Sequence, residues 1–70
     1  MALTLKRIKQ LQDTKERLSK AVADLEWAYR GLYYGSDVAP PFDASRARAE
    51  RAARDLLDLL PTLSRDVEHD

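Results

Sequence analysis

Leu11, Leu18, Leu25 and Leu32 fall seven residues apart, with no proline between them. A seven-residue apolar repeat holds one stripe of an α-helix to one direction, and that stripe must find something to cover it. Ile8, Val22 and Tyr29 stand three residues before Leu11, Leu25 and Leu32, and Lys15 holds the same place before Leu18. The spacing predicts one long helix over residues 2–34, with leucine at heptad position d and Ile, Lys, Val and Tyr at a. Lys15 either fixes the register of the helices or carries its amine to the edge of a bundle, and the second is the commoner use of such a lysine.

"GSDVAPPFD", residues 35–43, stops that helix. Gly35 suits a left-handed cap, and Pro40 and Pro41 lack the N–H that helix continuation requires. Asp43, or failing it Ser45, is the expected N-cap of a second helix over residues 44–60. Its seam reads Ala49, Ala53, Leu56 and Leu60, with Leu63 and Val67 as its continuation beyond Pro61. Pro61 is expected to break or kink it, leaving a short helical extension before the end. The chain is therefore read as all-α, a single helical-hairpin domain over residues 1–70.

Two features say that the helices run antiparallel. Residues 1–20 carry a net charge of +4, residues 21–45 −3, residues 46–54 +3 and residues 55–70 −4. Doubling back sets each run beside its opposite. Volume agrees, because the aromatic end of the first helix then meets Ala47, Ala49, Ala52 and Ala53, and large opposite small fills space.

Size adds a further condition. Seventy residues without a cysteine bury too little to outweigh chain entropy comfortably, and chains of this size usually need a staple. Another chain is the staple left, so the hairpin is expected to pair into a homodimeric four-helix bundle. Ile8, Leu11, Leu18, Val22, Leu25, Tyr29, Leu32, Ala49, Ala53, Leu56, Leu60 and Leu63 form the expected core of hairpin or dimer.

"LEWAYRGLYYG" holds four of the five aromatics, and Phe42 follows. Tyr29 lies on the seam. Trp27 and Tyr34 fall at position f, where the earlier heptads place Lys6, Asp13 and Lys20. The first helix thus turns apolar nearly all round in its second half, and such a helix is normally covered on every side. Three covers compete: a second copy, a different protein, or the 36–42 connection folded back. Trp27, Arg30, Tyr33, Tyr34 and Phe42 are the expected protein-binding residues, since Trp, Tyr and Arg dominate interface hot spots. Arg30 would meet a partner carboxylate unless Glu26 retains it.

Other function classes find little to work with. Twelve basic and twelve acidic residues cancel, so no net field draws the chain to nucleic acid or membrane. His69 is the sole histidine and penultimate. No glycine-rich phosphate loop occurs, and neither cofactor, metal nor small-molecule substrate is expected. No apolar run reaches membrane-spanning length. A non-enzymatic protein–protein interaction module follows: an adaptor, antagonist or assembly partner, expected in the cytoplasm, with a composition that suggests a bacterial or phage source. The alternative is nucleic-acid binding through "LKRIKQ" and "RARAERAAR". A dimeric helical hairpin resembles, in architecture alone, the small RNA-binding four-helix bundles of the Rop type.

Overall fold

The structure is a computed structural model that describes residues 3–68. Two helices, α1 (Leu5–Tyr34) and α2 (Phe42–Glu68), pack against each other as a hairpin, and no strand occurs among the described residues. The rod measures 53 × 16 × 13 Å. Its radius of gyration is 16.0 Å, against about 11 Å for a compact chain of this length.

Local chemistry sets the ends. Thr4 is extended, and its Oγ1 accepts the Arg7 N–H at 3.3 Å, so the helix starts at Leu5 rather than Ala2. Ala2 itself, like His69, lies outside the described residues. At the other end Gly35 takes φ 69° and ψ 35°, the left-handed conformation that lets its N–H turn back to the Gly31 carbonyl. The Ser36 N–H donates to the same oxygen at 2.8 Å. An L side chain is disfavoured in that conformation, so Gly35→Ala is expected to cost about 1 kcal/mol. Urea unfolding at fixed protein concentration reads it.

The second helix departs from expectation at both ends. It opens at Phe42, directly after the two prolines, and the Pro41 carbonyl accepts the Ser45 N–H at 3.1 Å. Asp43 is therefore not the cap but an acid in the first turn, where the helix dipole favours it. Pro61 does not end the helix, which continues to Glu68. Pro61 and Leu57 are both exposed, so water can take the Leu57 carbonyl that proline leaves without a donor. Beyond it, half-buried Leu63 and the Arg7–Asp66 ion pair, at 2.7 Å, tie the last turns to α1.

Cross-helix ion pairs fix the antiparallel register. Arg7 meets Asp66, Arg17 meets Asp55 at 3.6 Å, and Asp24 meets Arg48 at 3.3 Å. Seven residues up α1 from Arg17 to Asp24 match seven down α2 from Asp55 to Arg48. The Arg17–Asp55 and Asp24–Arg48 pairs are well exposed and worth little in stability. Their value is orientation, because a parallel arrangement would face like charges.

The line of contact between the helices is not the leucine seam. Thr14, Ala21, Ala28 and Gly31 are the buried residues of α1, and Ser45, Ala49 and Ala52 those of α2. The buried apolar residues are all alanines: Ala21, Ala28, Ala49 and Ala52. Leu18 and Leu25 pack on the edge of the alanine cluster, half-buried. Among the other residues expected in the core, Ala49 is buried and Ala53, Leu56 and Leu63 are half-buried. Ile8, Leu11, Val22, Tyr29, Leu32 and Leu60 are exposed. Helix α1 is turned so that the row of small residues preceding each a position meets α2. Small side chains let the two backbones approach closely, and the large row is left at the side. Thr14 sits in this contact with its hydroxyl donating to the Gln10 carbonyl at 2.8 Å, so its burial leaves no unpaired group.

Candidate interaction surface

The turn of α1 gives the hairpin two unlike sides. One side is polar. Arg17, Lys20, Asp24, Arg48, Arg51 and Asp55 surround the buried pair Ala21 and Ala52 there. Toward the free ends Arg7, Gln10, Asp13, Thr14, Asp58 and Thr62 continue it. Basic and acidic groups alternate along this side, and Arg7, Arg17 and Arg48 each hold a carboxylate of the other helix.

The opposite side carries two apolar hollows, one toward each end of the rod. At the free ends Leu3, Leu5, Ile8 and Leu11 join Leu63 and Val67 of α2 around a shallow hollow of about 490 Å³, which the Arg7–Asp66 ion pair also lines. At the connection end Val22, Leu25, Tyr29, Tyr33, Tyr34 and Phe42 line a second hollow of about 620 Å³. Leu18 stands one heptad from both Leu11 and Leu25, and Leu60 one heptad before Val67, so the stretch between the hollows belongs to the same side. Val22 is 49 % exposed and Ile8 54 %. These values are high for residues that repeat with core spacing.

The connection end is held by rings. Tyr29 and Phe42 lie with centroids 6.4 Å apart and planes tilted by 59°. Tyr33 and Tyr34 meet edge to face at 4.9 Å. Arg30 and Glu26 form an ion pair at 2.7 Å on the rim of this hollow, so Glu26 does retain the guanidinium in the isolated hairpin. Of the residues expected to bind protein, Arg30, Tyr33, Tyr34 and Phe42 come together at this hollow. Trp27 is not among its lining residues and is 50 % exposed.

Sequence reasoning missed the free-end hollow. Leu3 and Leu5 precede the first heptad leucine and carry no periodic signal alone. Only the antiparallel fold sets them beside Leu63 and Val67. Lys15 occupies an a position between Leu11 and Leu18, is exposed, and has no ion pair among the described residues. On α2, Arg46 and Glu50 pair with each other at 3.6 Å.

Among the described residues no three His, Cys, Asp or Glu side chains are placed to hold a metal ion. No helix among them is long and apolar enough to cross a membrane. Comparison of the chain with family models, with curated proteins and with solved structures finds no match.

Proposed function

We propose that this chain is a protein-interaction module that works by laying the apolar side of its hairpin on a partner surface. One observation carries the reading. No leucine, isoleucine, valine, phenylalanine, tyrosine or tryptophan among the described residues is buried, and the buried apolar set is four alanines. Large exposed apolar patches mark interaction sites. The accessible surface agrees: it is 5718 Å², against about 4,450 Å² for a compact monomer of 8.0 kDa. The excess, about 1,300 Å², is the scale of surface that a specific protein interface removes from water.

A four-helix bundle of two hairpins is one assembly that closes this side, and a different protein with a matching apolar strip is the other. Either way the chain acts as an adaptor, antagonist or assembly partner, by occupancy rather than by chemistry. The nucleic-acid alternative has less support. On the polar side Arg7, Arg17 and Arg48 each stand beside an aspartate, which weakens the positive field that phosphate binding needs.

Sedimentation of an extract from cells producing the chain tests the reading. The chain is expected to travel in an assembly heavier than 8.0 kDa. A variant carrying both Val22→Glu and Leu60→Glu is expected to leave that assembly. A wild-type chain that travels alone, folded and at its own mass, overturns the proposal.

A further inference from the structure

We infer that the apolar side is closed by a second copy of this chain, and that the two copies fold as they associate. The inference rests on the interaction reading above and names its partner.

The first argument is stability. Ordering a residue costs on the order of 1.5 kcal/mol, and at this chain length even a good core comes out near balance. An alanine contact line is far from a good core: an alanine buries a single methyl group where a leucine buries four carbons. The large side chains that supply stability elsewhere lie half-buried or exposed along one side. A hairpin of this kind needs its cover whenever it is folded. A partner present in equal amount at every moment of synthesis meets that need, and another copy of the chain is such a partner.

The second argument is area. The rod is 53 Å long and 16 Å wide. One side of it therefore offers a footprint of the order of 800 Å² per copy, which is what each member of a standard specific complex contributes.

The third argument is charge. A second hairpin can pair by a two-fold axis along the rod or across it. Along the rod, α1 of one copy runs antiparallel to α2 of the other and repeats the pairing already made within the hairpin. Across the rod, α1 faces α1 antiparallel, so the +4 run of residues 1–20 meets the −3 run of residues 21–45. By the same axis, the +3 run of α2 meets its −4 run. In both arrangements each charge run lies beside its opposite, so long-range charge favours rather than opposes a second copy. Lys15 lies within the strip but has a stem long enough to carry its ammonium to the edge of such a bundle.

The purified full-length chain tests this. Its mass by sedimentation equilibrium at micromolar concentration is expected to be twice 8.0 kDa. Because unfolding then releases two chains, a hundredfold dilution is expected to lower the melting temperature by about 10 °C, from the usual unfolding enthalpy per residue. Val22→Glu is expected to weaken the dimer by about a hundredfold or more, since it buries an unpaired charge. Ala23→Glu, exposed one position on, turns out of the strip and leaves mass and melting within error. Loss of helix confined to Val22→Glu supports folding coupled to association. A monomer whose melting ignores dilution overturns the inference, as does a dimer indifferent to Val22→Glu. A purified chain that is monomeric or unfolded alone, yet sediments in a larger complex in the extract, sinks the second copy and leaves the interaction reading standing.

Discussion

Ala21→Leu is expected to destabilise the protein by about 3 kcal/mol, the upper end of the cost of forcing extra carbons into a filled contact. Ala21 is 2 % exposed, with Ala49 and Ala52 across from it and Leu18 and Leu25 at its flanks. Leucine there brings three more carbons into a gap shaped for a methyl group. Neither helix can yield locally, because Thr14 and Ala28, buried one heptad to either side on α1, share the same small-residue row. The helices must part along several turns, and the contacts at Thr14 and Ala28 loosen with them. The urea midpoint at fixed protein concentration reads the loss. The experiment also decides which stripe of α1 meets α2. If the leucine row made the contact inside the hairpin, Ala21 would lie at its flank and accept leucine with a change under about 0.5 kcal/mol, as exposed positions do.

That choice of stripe is where the sequence was hardest to read. Thr14, Ala21 and Ala28 repeat every seven residues just as Lys15, Val22 and Tyr29 do, one position earlier. A heptad count weights large apolar residues and so selects the second row. What decides the matter is the facing helix, whose buried positions Ser45, Ala49 and Ala52 are also small. Small against small permits a close crossing that large against small does not. The turn is an angular shift of one heptad position, and it moves the large row from inside the hairpin to its side. Architecture was legible because it rests on coarser signals. The charge runs show as the Arg7–Asp66, Arg17–Asp55 and Arg48–Asp24 pairs, and Gly35 takes the left-handed cap. The helix runs through Pro61 rather than breaking there, because a proline penalty is a local quantity. Leu63 and Asp66 beyond it are anchored to α1 from a distance in sequence, and tertiary contact outweighs local preference. At the connection end, the window holding the aromatics was visible as a cluster. The direction each ring takes was not, since Tyr29 and Phe42 meet only once the chain has turned. Trp27, the ring that the sequence made most prominent, is the one that the hollow omits.

Gly31→Val is expected to be the other severe single change, and a second substitution should relieve much of the loss in the milder alanine form. Gly31 is buried inside α1, where glycine ordinarily weakens a helix by about 1 kcal/mol relative to alanine. Its φ is that of the surrounding helix, so no left-handed backbone requires it. The reason is space: a Cβ built on Gly31 lands on the Cβ of Ala39, where the connection folds back across the last turns of α1. Gly31→Ala therefore gains helix propensity but overfills this crossing, with a net loss of about 1–2 kcal/mol. Valine adds two more carbons and is expected to lose about 3 kcal/mol and to lift the connection away from α1. If the clash is the cause, it belongs to the pair rather than to either residue. The double variant Gly31→Ala with Ala39→Gly should then recover the loss and keep the propensity gain, a coupling of at least 1 kcal/mol between two positions eight apart in sequence. Additive losses would show instead that Gly31 serves some purpose other than letting the chain pass. The crossing also fixes how the connection delivers Pro40, Pro41 and then Phe42 to the start of α2. A lifted connection should separate Phe42 from Tyr29 and open the hollow at that end, where four of the five expected binding residues gather. The stability cycle thus has a second readout: ring-proton contacts between Tyr29 and Phe42, lost in Gly31→Val, weakened in Gly31→Ala and restored when Ala39→Gly is added to Gly31→Ala.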